Sequence, residues 1–281
     1  MDGKLQRIEE LSRNGGEYFS INGVKLFMDG VIEAHTGWLC EPYSDQNDYY
    51  GLKRGEDVGR LEKIVRFVNE KGLGAHFHAI GDGAVKAAVD AICAAQDSTG
   101  IKDARNIIAH LQIVRPEDIE RMGEYGIMAA VAPLWVTVGD VSYQQTIEYL
   151  GQERAWNSYP VKSFIDAGAR ITFHTDYPVS PNMSIPLSIY YAVTITSPEL
   201  GMKYRKNPEE CITRQQSLEA MTLNPAFQWR QEGHLGYLSK GYVAHYTVYD
   251  TDFLNDDLDR IAKAKLICTA VDGDVVYDCR K

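Results

Sequence analysis

Four residues have the types and the spacing to do chemistry together: Lys25, His78, His110 and Asp176. Each stands in, or at the end of, a short apolar run of the kind that forms a buried strand. His78, His110 and Asp176 fall at the C-terminal ends of such runs, and Lys25 lies within its run near that end. A parallel α/β fold gathers its active site at those ends. His78 and His110 are one strand-helix unit apart, and Asp176 follows His110 by about two. The run between them ends in Ala132-Pro133 and offers no donor. Neutral imidazoles and carboxylates suit zinc and related divalent ions. A protonated lysine cannot ligate, but a desolvated amine that condenses with carbon dioxide becomes an anionic carbamate able to bridge metals. An aspartate beside metal-activated water can hold the proton that the water gives up.

Each residue also has a plainer use. A strand-end histidine serves as a hydrogen-bonded packing residue, Asp176 suits a turn before Pro178, and Lys25 suits a carboxylate partner or a snorkelling stem. His76 shares the His78 face, because strand side chains alternate, and is read as a supporting residue. His174 stands in the same relation to Asp176. With Tyr177 it is the candidate for substrate contact, and Trp38 and Trp135 are further aromatic candidates. His35, in a loop, is a lesser one. No Gly-x-Ser-x-Gly elbow is present for a serine hydrolase, and no Gly-x-Gly-x-x-Gly follows a strand to bind a dinucleotide.

The elements that must position these residues alternate. Strands are expected at 23–28, 75–80, 106–110, 127–132 and 170–175. Helices are expected at 59–71, 84–95, from Pro116 onward, and at 159–167. Short connections between them imply a parallel sheet covered by helices. A helix over 213–231 is expected to lead into a β-rich end, where 242–250 alternates and Asp272-Gly273 between two β-rich runs signals a two-residue hairpin. The expected domains are a partial (β/α) barrel over 1–232 and part of a β-sandwich over 233–281.

The composition fits a globular protein. The 281 residues carry 44% hydrophobic and 24% charged side chains, enough to bury a full core. A net charge of −10 argues against nucleic-acid backbones as partners. No apolar run reaches the roughly 20 residues that span a bilayer, and Met1 to Arg7 lacks the apolar stretch of a secretory signal. Five scattered cysteines without CxxC pairing read as reduced thiols. A cytoplasmic location and a small-molecule substrate are the expectations, with no nucleic-acid or membrane partner.

Taken in order, several segments resemble the amidohydrolase superfamily. The likeness is to amidohydrolase family 3, the branch with N-substituted formamide deformylase and the exoenzyme regulatory proteins. The matching pieces are Val24-Lys-Leu-Phe-Met-Asp-Gly30, His78-Ala-Ile-Gly-Asp82, Ile108-Ala-His-Leu-Gln112 and Thr175-Asp-Tyr-Pro-Val179. Met221-Thr-Leu-Asn-Pro-Ala226, Gly233-His-Leu-Gly-Tyr-Leu-Ser-Lys-Gly241 and the Val271-Asp-Gly273 hairpin follow. The resemblance implies a distorted (β/α)8 TIM-barrel-type metal-dependent hydrolase with a β-sandwich. Its chemistry is attack of metal-activated water on a carbonyl carbon, cleaving an amide or related non-peptide C–N bond. It implies Lys25 as a carboxylated bridging ligand, His78 and His110 as metal ligands, and Asp176 as metal ligand and general base. The cofactor implied is one or two divalent ions, most naturally Zn2+.

Three departures from the family pattern follow. Such proteins open with His-x-His on the first barrel strand, and nothing before Lys25 supplies it. About five of eight strands are counted, so a C-terminal portion of a longer design is expected. Gly30-Val-Ile-Glu-Ala-His-Thr-Gly37 differs from the usual turn after the lysine strand. Ala244-His245 replaces the usual Ala-Asp, with a structural role expected. Open strand edges and apolar faces in a partial barrel lead to an expectation of a homo-oligomer. The alternative function is a catalytically inactive chain acting as a binding or regulatory module.

Overall fold

The computed structural model describes residues 6, 7, 10, 16, 19–54, 58–136, 141–180 and 184–281. Residues 1–5, where much of the expected absence of a signal was read, lie outside the described residues. The chain divides into two units. The first comprises Met1–Ala130 and Gln145–Arg170, the second Val131–Gln144 and Ile171–Lys281.

In the first unit, strands β1 (Gly23–Phe27), β2 (Gly74–Ala79), β3 (Ile107–His110) and β4 (Met128–Val131) lie side by side in that order, all parallel. Every residue of β3 and β4 is buried. That is why they read as unbroken apolar runs: a parallel strand covered on both faces shows no polar alternation. Helices α1 (Val58–Glu70) and α2 (Asp82–Thr99) pack on each other and on β2. Leu61, Val65 and Val68 form the buried stripe of α1, at the spacing of one helical face. α2 ends at Gly100, whose φ of 73° lets its N–H reach the Gln96 carbonyl at 2.7 Å. At the N-terminal ends of the strands, Asn69 and Asn106 exchange side-chain hydrogen bonds of 2.9 and 3.1 Å, and Asn106 also accepts from the Ala75 N–H. This satisfies two buried amides and leaves the opposite ends of the strands to the candidate residues. α3 (Pro116–Glu124) opens on proline and two acids, as expected.

Three sequence expectations change. The helix expected at 159–167 begins later, at Val161 (α6, Val161–Asp166), because Tyr159 is held at φ 56° and Pro160 precedes the first turn. The single helix expected over 213–231 is two, α8 (Arg214–Glu219) and α9 (Leu223–Gln228). Pro225 has no N–H for the Met221 carbonyl and crowds it, and Thr222 leaves helical geometry at φ −126°, ψ −74°. Helices α4 (Val141–Leu150), α5 (Gln152–Trp156) and α7 (Ile185–Thr194) were not anticipated.

The second unit holds β5 (Ile171–Phe173), α7, α8 and α9, and a three-stranded antiparallel sheet of β6 (Tyr246–Tyr249), β7 (Leu266–Val271) and β8 (Asp274–Asp278), with α10 (Leu258–Ala262) between β6 and β7. The β7–β8 hairpin turns on Asp272-Gly273 at φ 55° and 86°, the doubly positive geometry that this dipeptide favours. His245 Nδ1 accepts from the Asp272 N–H at 2.9 Å, so this histidine braces the turn.

The second unit also buries a lysine. Lys206 is 2% exposed, with Nζ 5.9 Å from the Tyr143 ring. Burial pushes its ammonium down from 10.5 to about 7, with Glu210 opposing. Between those values the unfolded chain binds the extra proton, so stability should rise with pH from about 7 to about 10. Lys206→Met should flatten that rise. Urea unfolding across that pH range checks it.

Candidate metal centre

His78 and His110 come together. Their ring centroids are 4.4 Å apart, nearly edge to face. His78 is the penultimate residue of β2, in register with Ala109 and Phe27. His110 is in register with Ala79, so in an extended strand its side chain would leave on the other face. Its backbone is instead left-handed, with φ 80°, and Leu111 follows at φ 54°. Two successive non-glycine residues in that region store strain of the kind that concentrates at functional sites. The strand is held there by the Leu111 N–H on the Ala79 carbonyl at 3.0 Å and the Ile113 N–H on the Ile80 carbonyl at 2.9 Å. His110 itself is buried.

The ring nitrogens of His78 are differentiated. Nε2 lies 2.9 Å from the Gly30 carbonyl oxygen and 3.5 Å from Asp29 Oδ1. A carbonyl oxygen only accepts, so Nε2 carries a proton, and in the neutral ring the lone pair is then on Nδ1. Metal-ligating histidines are commonly held this way, donating the second N–H to a carbonyl or carboxylate.

Asp29 stops the first strand run, inside a matching segment, and is not among the candidate residues of the sequence. It is 1% exposed and accepts backbone N–H bonds from Trp38 (2.9 Å), Ile80 (3.1 Å) and Gly81 (2.9 Å). Burial pushes its carboxyl up to about 7, against those bonds and the Arg54 charge. The one local signal for it was an acid at a strand end inside a matching motif. Asp82 ties the same loop to α2 by accepting from the Cys40 N–H at 2.9 Å.

The other candidates are placed as follows. Lys25 is exposed on β1, in register with His76, and its Nζ lies 5.5 Å from the Phe27 ring. Phe27 also packs on His78, with centroids 5.2 Å apart. His35 is separate: it pairs with Asp45 at 2.7 Å and packs on Tyr43 and Tyr149. A pocket of about 420 Å³ is lined by Trp38, Leu39, Cys40, Tyr50, Lys86 and Asp90 among others, and by none of the candidate ligands. In the second unit, Asp176 is exposed at φ 53° and its carbonyl accepts from the Val179 N–H at 2.7 Å. His174 packs edge-on against Trp135 at 5.7 Å, and its N–H donates to the Val131 carbonyl. Tyr177 is exposed. Among the described residues, no group of three or more His, Cys, Asp or Glu stands together as a metal cage. The histidine pair fits a borderline metal by donor type, and two imidazoles are fewer than the three or four ligands that zinc takes.

The pattern of the amidohydrolase family matches residues 2–277. The chain belongs to the amidohydrolase family. This amidohydrolase chain is 27% identical over 274 residues to the putative amidohydrolase YtcJ of Bacillus subtilis strain 168, covering 98% of this chain and 50% of that protein. It is 24% identical over 265 residues to N-substituted formamide deformylase of Arthrobacter pascens, covering 91% and 45%. An uncharacterized metal-dependent hydrolase from Pyrococcus horikoshii OT3 superposes with a TM-score of 0.75 at 28% identity, covering 91% of this chain and 50% of that one. The chain thus spans about half the length of the curated relatives it matches. The parallel strands alternating with helices agree with a TIM-barrel-type α/β fold. No helix among the described residues is long and apolar enough to cross a membrane.

The loop that frames His78 passes close to the backbone: a Cβ on Gly81 would stand 2.1 Å from the Trp38 carbonyl oxygen. Gly81→Ala must separate these segments and should destabilise the chain by about 1–3 kcal/mol. An unchanged urea midpoint would contradict the crossing.

Proposed function

We propose that this chain carries the histidine half of the metal centre of an amidohydrolase that cleaves an amide or related non-peptide C–N bond. The single observation that carries the reading is the His78–His110 pair at 4.4 Å, with the His78 tautomer set by Gly30. It is supported by membership of the family and by likeness to a metal-dependent hydrolase.

Nδ1 of His78 and the ring of His110 would hold a divalent ion, with zinc the best match to two imidazoles. A bound ion of this kind acidifies water and polarises a carbonyl. Lys25 as a carbamate, and Asp176, are the further ligands that the family resemblance assigns. Asp176 would take the proton from the attacking water and hand it to the departing nitrogen. His174 and Tyr177 are the proposed substrate contacts, for a small molecule. Residues 233–281 would form part of a β-sandwich after a partial barrel. The remaining parts of the centre would come from a sequence like the half of the relatives that this chain does not cover, and a homo-oligomer would cover the open faces.

One observation favours a second reading, a binding or regulatory module without turnover. Among the described residues no three-ligand group is assembled.

Zinc titration of the full chain in bicarbonate buffer, with release of amine from a panel of N-formyl and N-acyl amines, separates the two. The metal-centre reading expects near-stoichiometric zinc, and a loss of affinity of more than about 100-fold in His110→Ala. A folded chain that binds no zinc, or binds it equally well as His110→Ala, would sink it. Zinc binding without any amine release would favour the module.

A further inference from the structure

The contacts of Asp29 go beyond what a strand stop requires. One carboxylate oxygen, Oδ2, receives the N–H of Trp38 and of Gly81, each at 2.9 Å. The other, Oδ1, receives the Ile80 N–H at 3.1 Å and faces His78 Nε2 at 3.5 Å. Ile80 and Gly81 lie two and three residues beyond His78, and the Met28 N–H, one residue before Asp29, donates to the His78 carbonyl at 3.0 Å. His78 is therefore pinned on its backbone from both sides and on its ring by the Gly30 carbonyl, with Asp29 Oδ1 alongside at 3.5 Å. Gly30 is itself fixed, donating its N–H to the Thr36 carbonyl at 2.8 Å.

We infer that Asp29 is a positioning residue for His78. Its buried carboxylate locks the exits of β1 and β2 together and, 3.5 Å from Nε2, joins the Gly30 carbonyl in favouring the Nε2–H form of the neutral His78 ring. It touches neither substrate nor metal and acts through the imidazole. Its functional consequence rests on the metal-centre reading above, while the tautomer itself does not. A merely structural cap would serve equally well with any acceptor of the same shape. A positioning residue must present an acceptor, not a donor, to Nε2. Asp29→Asn separates the two roles. The amide has one oxygen, which the two short bonds from Trp38 and Gly81 claim, and this turns the NH2 group toward His78. A donor then faces a donor, which favours transfer of the ring proton to Nδ1 or rotation of the ring.

The test is histidine ring 15N NMR on the full, metal-free chain at pH 8, where an ordinary imidazole is neutral. The wild type should show His78 as the single Nε2–H form. Asp29→Asn should move the His78 Nδ1 resonance toward the protonated range while a distant histidine such as His245 stays put. If Asp29→Asn folds and His78 keeps its wild-type tautomer, the inference fails. If that variant does not fold, Asp29→Ala decides: a His78 that keeps the single Nε2–H form there overturns the inference, and a mixed or Nδ1–H His78 upholds it, while an Nδ1–H His78 in the wild type overturns it outright. Zinc affinity measured in parallel should fall about 10–100-fold in Asp29→Asn. A wild type that binds no zinc overturns the metal-centre reading and leaves the tautomer result standing.

Discussion

Three backbone N–H groups converge on the buried carboxylate of Asp29 beside the His78 ring, and the candidate centre depends on that convergence. A carboxylate taken out of water is tolerated only where donors replace its hydration. Here the replacements are backbone N–H groups from three places in the chain: Trp38, Ile80 and Gly81. Satisfying the charge thereby fixes the loop after β1, the exit of β2, and the ring of His78 between them. The competition is visible in the carboxyl itself, raised to about 7 by burial although every bond it accepts acts to lower it.

From this clamp the rest of the site follows in steps. His78 is held from Nε2 by the Gly30 carbonyl, and His110 comes beside it through a left-handed backbone at the end of β3. That strain is borne by the buried strands β3 and β4 and by the bonds from Leu111 and Ile113 onto Ala79 and Ile80 at the end of β2. The Asn69–Asn106 pair at the opposite strand ends does quiet structural work, so polar residues at the two ends have different functions. Two imidazoles are fewer donors than zinc takes, and the chain spans about half the length of the curated relatives it matches.

Much of this was legible in the residues, and what was not has physical reasons. β3 and β4 were readable because a doubly covered strand must be apolar throughout. The Asp272-Gly273 hairpin was readable because few dipeptides accept two positive φ values. His78 and His110 stood out as polar ends of apolar runs. Asp29 did not, since its partners lie 9 to 52 residues away and a lone acid before glycine looks like any turn. The α7 segment is apolar and β-branched on nearly every side, which hides its helical period; Ser184 accepting from the Leu187 N–H was its one clear start signal. The 213–231 stretch carried a helical pattern across Pro225, and the proline prevailed. His35 resembled a candidate by type alone and sits instead among Tyr43, Tyr149 and Asp45.

The central claim is that His78 and His110 bind one metal ion together. X-ray absorption at the zinc edge of the loaded full chain tests it most directly. The account predicts imidazole scattering from two histidines at about 2.0–2.1 Å, falling to one in His110→Ala and in His78→Ala. Zinc whose shell contains no imidazole, or whose spectrum is unchanged by both substitutions, would contradict it.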